Sequence, residues 1–423
     1  MRILVVGSGG REHAIIRKLK ESKQCTEIIA APGNGGIAAE AQCVNVSATD
    51  IDGMVTLAKQ KNVDFCVVAP DDPLAMGMVD AMEKAGIAAF GPNAAAARIE
   101  ASKVFAKELM QKANIPTAAS GVFCDAEEAK EYIKKTGTPI VIKADGLAKG
   151  KGVIIAQTQA EAFDAVNSIM QDKIFGNAGA KIIVEEFLEG VEASIMCFCD
   201  GKNIIPMISS QDHKRLLDND EGKNTGGMGA FAPTPYYTDE IADYTVKNIL
   251  KPTVDAMAKM GCAFKGVLYA GLMITKKGVY VLEYNSRFGD PETQVVLPML
   301  DGDLLEIMMA CRNGELDKCN VKWEKGGCCV VVMVSGGYPD KYVNGYEIKG
   351  LNEVNGKNEW VIHAGTRADA DKILTNGGRV LGVCAKADSL DGAVKKAYEN
   401  VEKISFTDAF YRHDIGKTVA DRK

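Results

Sequence analysis

Through the first hundred residues, short apolar runs alternate with stretches whose apolar positions recur at helical spacing. Arg2–Val6, Glu27–Ala31, Asp64–Val68 and Ala88–Phe90 read as strands, with amphipathic helices at Glu12–Lys20, Asp50–Lys61 and Asp72–Ala85. Strand and helix in regular alternation predict a parallel, doubly wound sheet. Ligands of such sheets bind beyond the carboxyl ends of the strands. Polar loops stand at those ends: Gly7–Glu12, Pro32–Gly36 and Pro70–Pro73.

A second unit begins near Ser102. Its expected strands are Pro139–Lys143, Val153–Ala156, Lys181–Glu186, Val191–Cys199, Asn203–Ile208, Gly266–Ile274 and Gly278–Glu283. Helices are expected over Gln159–Gln171 and, in one long stretch, Asp239–Met260. The charged, glycine-containing segment Asp317–Gly327 reads as a linker. Beyond it, strands at Cys328–Val334, Glu359–His363 and Arg379–Ala385 precede a helix from Leu390 to about Lys403.

A chain of 423 residues has room for two to four domains. Its 47% hydrophobic and 25% charged content is ordinary for a globular protein, and a net charge of −6 gives no reason to expect nucleic acid. Without a long unbroken apolar run, no membrane partner is expected. The twelve cysteines form no C-x-x-C pair and lie mostly in apolar segments, which predicts reduced buried thiols and a cytoplasmic location.

The candidate chemistry centres on Glu283-Tyr-Asn285-Ser-Arg287-Phe-Gly-Asp290-Pro291-Glu292. Side chains two apart on a strand share a face, so Glu283 and Asn285 project together. A carboxylate and an amide oxygen are hard donors suited to Mg²⁺ or Mn²⁺ that is also held by phosphates. Arg287 adds a cation for a carboxylate or developing phosphate charge. Asp290 and Pro291 fit the N-cap and first residue of a following helix.

Other segments are less specific. Gly7-Ser-Gly-Gly-Arg11 could bring backbone N–H groups and a helix N-terminus to a phosphate, or simply form a tight turn. Glu12 replaces the third glycine of a dinucleotide fingerprint, and no acid follows the second strand, which disfavours an NAD-dependent oxidoreductase. Lys143–Gly152, with three glycines and three lysines, suits a flap over a nucleoside triphosphate. Glu185–Glu192 could meet an adenine edge and ribose hydroxyls. Gln211–Arg215 is a candidate acid/base cluster and Asn224–Gly229 a candidate anion nest.

Taken in order, several stretches resemble the glycinamide ribonucleotide synthetase family of the ATP-grasp superfamily. They are Gly-Gly-Arg11-Glu-His13, Ala31-Pro-Gly-Asn34, Gly91-Pro-Asn93, Ser102-Lys103, Val141-Ile-Lys143, Gly150-Lys-Gly152, Glu185-Glu-Phe-Leu, Gln211-Asp-His-Lys214, Asn224-Thr-Gly-Gly-Met-Gly229, Leu268-Tyr-Ala-Gly-Leu272 and Arg287-Phe-Gly-Asp-Pro-Glu292. The resemblance implies a multidomain α/β and α+β fold. Residues 1–101 would be the doubly wound substrate domain and 102–322 the ATP-grasp core, with a mobile lid at about 121–190. Residues 323–423 would be a small C-terminal domain.

It also implies ligation of glycine to 5-phosphoribosylamine with ATP, through glycyl phosphate, in de novo purine synthesis, by a monomer or homodimer. ATP would meet Lys103, Lys143, Gly150, Gly152, Glu185, Glu186, Phe187, Leu188 and Glu192. Phosphoribosylamine would meet Gly9, Gly10, Arg11, Glu12, Asn34 and Asp71, and glycine Asp212, Asn224, Gly226, Gly227 and Arg287. Glu283 and Asn285 would hold the metal, while Arg287, Lys143 and Asp212 would act in the chemistry. Two positions depart from the family pattern: Asp71 stands where a Glu is usual, and Ser286 where many members have Cys. The alternatives are another ATP-grasp carboxylate–amine ligase or carboxylase, and a non-catalytic ATP sensor.

Overall fold

The computed structural model describes residues 1–147 and 152–417. In the N-terminal unit five parallel strands lie in the order Gln42–Cys43, Glu27–Pro32, Arg2–Gly7, Phe65–Val68, Ala88–Phe90. The expected helix over 72–85 is two, Asp71–Ala75 and Met78–Lys84. Gly77, at φ +87°, ends the first, a conformation that side-chain-bearing residues avoid.

Consecutive helices Ala94–Ala101 and Lys103–Lys112 lead into the middle of the molecule. Asn93 caps the first and Ser102 the second, each accepting a backbone N–H three residues on. The break at Ser102 brings Glu100, Lys103 and Lys107 towards the same region.

Two antiparallel four-stranded sheets follow. One runs Ser120–Phe123, Ile182–Glu186, Ile140–Ala144, Val153–Ala156 and is backed by helices Ala126–Thr136 and Gln159–Met170. Its apolar residues form a core of their own. The other runs Ile204–Pro206, Val191–Asp200, Lys265–Thr275, Gly278–Asn285. The long helical stretch contains a π-turn, Val246–Leu250, just before Pro252, whose ring nitrogen cannot donate to the preceding turn.

The last sheet crosses the boundary expected at 322/323. Gln211–Asp212 pairs with Gly229–Ala232, which pairs with Gly327–Val334, and the sheet continues to Arg379–Ala387 and Glu359–His363. One apolar core joins the N-terminal sheet, the long-stranded sheet and this one, through Ile3, Phe90, Phe198, Phe288 and Val330. Among the described residues no helix is long and apolar enough to cross a membrane.

Candidate active site

Strand Gly278–Asn285 carries the centre of the site, and a bulge decides which way its polar residues face. Glu283 pairs with Gly271 but Val281 pairs with Leu272, so Leu282 is an extra residue. Under strict alternation Val279, Val281, Glu283 and Asn285 would share one face. The bulge turns Tyr284 into the core beside Val279 and Val281, and releases Glu283 and Asn285 to the opposite side. The bulged residue's carbonyl accepts from Lys143 Nζ at 2.9 Å.

Burial would raise the Glu283 carboxyl, but Lys214, Lys143, Lys103 and Arg287 together hold it below the usual range. Lys103 donates to Gly146 O at 2.9 Å. Lys143 also pairs with Glu185 at 2.9 Å, and Glu185 is shared with Lys107 at 3.1 Å. Lys214 lies between Glu192, at 2.8 Å, and Glu283, at 3.9 Å. Burial works against its charge, while Glu192 and Glu283 raise its proton affinity well above normal.

Arg287 is held by Glu100 at 2.8 Å and donates to Asn285 Oδ1 at 3.2 Å. Its Nε is buried and has no hydrogen-bond partner among the described residues. The other Glu100 oxygen accepts from Ser286 N and Oγ, so residue 286 props the arginine's counterion. Among the described residues no cluster of three His, Cys, Asp or Glu could hold a metal alone. Glu283 and Asn285 fit a hard divalent ion that brings further oxygens with it, provided Arg287 yields the Asn285 oxygen.

In the N-terminal loop the Glu12 carboxylate folds back onto Gly9 N–H and pairs with Arg11 at 2.7 Å. A capping box thus places a carboxylate at the loop's N–H groups, which could have met a phosphate or formed a tight turn. Arg11 also donates to Phe288 O at 3.1 Å, which docks the loop on the segment after Asn285. Asp71 faces the same place: against the effect of burial, Arg287 and Arg11 lower its pKa. Asn34 clamps the loop. Its amide donates to Ser8 O and His363 O and accepts from Gly36 N and Ile37 N.

The Asn224–Gly229 segment is not an open anion nest. Thr225 N donates to Lys214 O, Gly226 N to Tyr338 Oη, Gly227 N to Thr225 Oγ1 and Met228 N to His213 O. Instead its Gly226 carbonyl accepts from Arg379, which also binds Asp290 O at 2.8 Å and Asp290 Oδ2 at 3.0 Å. Asp290 is therefore not a helix N-cap: Arg379 and Gln294 take its carboxylate, and the helix starts at Thr293. Asp212 packs against Gly227, whose φ is +112° and where a Cβ would come within 2.7 Å of Oδ1. That Oδ1 is buried and has no hydrogen-bond partner among the described residues. Burial first, then nearby Glu292, pushes the Asp212 carboxyl well above the usual range. Glu292 accepts from Tyr269 Oη at 2.9 Å and Ser194 Oγ at 3.2 Å.

At the far end, Glu186, Phe187 and Leu188 form the exit from strand Ile182–Glu186, and Phe187 is 39% exposed. Gly152 O closes the neighbouring hairpin by accepting from Ala144 N, whereas Gly150 lies outside the described residues. The structure thus brings Lys103, Lys143, Glu185, Glu283, Asn285 and Arg287 together. Glu100, Lys107 and Arg379 join them although sequence reasoning gave them no role, and Lys214 joins them from the candidate acid/base cluster. Lys214 stood inside a quoted motif; Arg379 meets Gly226 across 153 residues, with no local signal.

Comparison with known proteins supplies the lineage. Three phosphoribosylglycinamide synthetase models match in succession: the N domain at 1–100, the ATP-grasp (A) domain at 101–293 and the C domain at 328–418. The phosphoribosylamine–glycine ligase of Caldanaerobacter subterraneus subsp. tengcongensis is 48% identical, over 98% of this chain and 99% of its own. That of Allochromatium vinosum is 47% identical over the whole of both chains. The crystal structure of the Thermotoga maritima enzyme superposes with a TM-score of 0.85 at 33% identity, covering 98% of this chain and 100% of that one. A biotin carboxylase domain from Hydrogenobacter thermophilus, at 19% identity and a TM-score of 0.76 over 97% and 91% of the two chains, shares the fold. With every one of its three parts matched in order, the chain belongs to the phosphoribosylglycinamide synthetase family.

Proposed function

We infer that the chain ligates glycine to 5-phosphoribosylamine at the expense of ATP, giving glycinamide ribonucleotide, ADP and phosphate in de novo purine synthesis. One observation carries the reading beyond family membership: four cations, Lys103, Lys143, Lys214 and Arg287, converge on the Glu283 carboxylate. Such an array suits phosphoryl transfer, where catalysis is mostly positioning and charge neutralisation.

In this reading Lys103 and Lys143 take the ATP phosphates, the 186–188 exit the adenine, and Glu192 the ribose. Glu283 and Asn285 hold Mg²⁺ or Mn²⁺, which when bound neutralises phosphate charge. Glycine lies with its carboxylate towards Arg287, whose buried Nε lacks a partner, and its ammonium towards Asp212. Phosphoribosylamine approaches from Gly9, Gly10, Arg11 and Asp71. A carboxylate does not yield to an amine directly, since oxide would have to leave. Transfer of the γ-phosphoryl makes glycyl phosphate; the amine attacks its carbonyl carbon and phosphate departs. Arg287 is placed to steady the tetrahedral oxyanion. The separate antiparallel sheet serves as a cover that excludes water from the acyl phosphate. We assign residues 1–101 to phosphoribosylamine, 102–322 to ATP and 323–423 to support of the acceptor end, in a cytoplasmic monomer or homodimer.

Glycine labelled with oxygen-18 in its carboxylate tests the reaction. Label should appear in the released phosphate, because the bridging oxygen leaves with phosphorus. Label confined to the amide product would exclude the acyl phosphate, and equal turnover with bicarbonate in place of glycine would favour a carboxylase.

A further inference from the structure

Lys107 lies one helical turn beyond Lys103, is 3% exposed, and has no place in the reaction as drawn. Its ammonium has three hydrogens and three partners: Thr117 Oγ1 at 2.6 Å, Ala118 O at 3.2 Å and Glu185 Oε1 at 3.1 Å. Thr117 Oγ1 in turn donates to Val281 O at 2.8 Å, on the metal-site strand. Lys107 is therefore fixed to the framework on every side. Among the described residues Lys143, on the other Glu185 oxygen, has that contact and the Leu282 carbonyl. One N–H remains for a ligand, and this is the lysine that must reach phosphate.

We propose that Lys107 is a positioning residue for nucleotide capture: it keeps Glu185 paired, so that Lys143 can move onto the ATP phosphates. Glu185 is 2% exposed, and a carboxylate so deeply buried cannot give up its only cation without a large penalty. With Lys107 in place the carboxylate never stands alone. Without it, Lys143 is the sole counterion and is held back from the nucleotide. The proposal rests on the assignment of Lys143 to the phosphates.

A double-mutant cycle between Lys107→Met and Glu185→Gln tests it, read as KM for ATP beside KM for glycine, with Lys143→Met as reference. Lys107→Met should raise KM for ATP about tenfold and leave KM for glycine unchanged. In the Glu185→Gln background the same change should cost less than about twofold, since no buried charge needs holding. Lys107→Arg should retain most of the ATP affinity. If Lys107→Met does not fold, the comparison of Glu185→Gln with the double variant carries the test, because neither leaves a buried carboxylate unpaired. An equal ATP penalty in both backgrounds, a double variant much weaker for ATP than Glu185→Gln, or equal loss of ATP and glycine affinity would overturn the proposal. If Lys143→Met itself leaves KM for ATP unchanged, it is the assignment of Lys143 that fails.

Discussion

The two ends of the site differ in how their polar groups are satisfied before any ligand arrives. At the nucleotide end, Lys103, Lys143 and Lys107 all rest on protein oxygens, and Glu185 has a cation on each of its oxygens. At the acceptor end, Asp212 Oδ1, Arg287 Nε and Gln294 Oε1 are buried without hydrogen-bond partners. Unmet buried groups are costly, so they persist where a ligand completes them. A large, highly charged nucleotide brings enough interactions to displace existing pairs. On the proposed reading, glycine has few atoms and recovers more by meeting the open Asp212 and Arg287 atoms.

Glu283 borders both ends, and its loss should have the largest effect. Glu283→Gln keeps the side chain's volume and removes its charge, so kcat should fall by at least about a hundredfold. Turnover near the wild-type value at saturating Mg²⁺ would remove Glu283 from the metal and dissolve the border.

Asp212→Asn tests the vacancy directly. KM for glycine should rise by roughly ten- to a hundredfold while KM for ATP moves little. Stability should move the other way. The folded protein holds the Asp212 proton more tightly than the unfolded chain does. Wild-type stability is therefore lost as pH rises from the ordinary carboxylate range through the raised pKa, and the Asn variant lacks that loss. The melting temperature of the variant minus that of the wild type should grow from acid towards neutral pH. A difference that stays flat or shrinks would show that the carboxyl is already paired.

Arg11→Ala should raise KM for phosphoribosylamine about tenfold and spare ATP; the opposite ranking would invert the assignment of the two nucleotide-like substrates. The smallest effect is expected from Arg379→Lys, which cannot reproduce the fork between Gly226 O and Asp290. It should raise KM for glycine a few-fold, and an unchanged value would mean that the acceptor loop stands without that tie.

Much of this organisation is legible along the chain. Four of the first five strands announce themselves by alternation, the two-residue strand Gln42–Cys43 being too short to do so, and the polar pair at 283 and 285 stands out at the end of an apolar run. The bulge is legible only in retrospect: Val279, Val281 and Tyr284 break the parity that a flat strand would keep. The Gly7–Arg11 loop is open to two readings because glycine-rich loops look alike whether their N–H groups await a phosphate or are capped from within, as Glu12 caps Gly9 N–H. Asp290 misled because its partner, Arg379, arrives from a distant strand, and no local pattern encodes that meeting. Local chemistry is written locally; closure between distant segments is not.

The sheet that crosses residue 322 bears on how separable the C-terminal part is. Cutting the chain there would strip strand Gly229–Ala232, fully buried, of its neighbour Gly327–Val334. The remnant would present an apolar edge with open N–H and C=O groups, an invitation to self-association. Transplanting the C-terminal part alone would leave its own sheet short of two strands. Inheritance by recombination would thus have to carry residues 211–232 along with it, and the two stretches, far apart in the gene's order, form one unit of exchange.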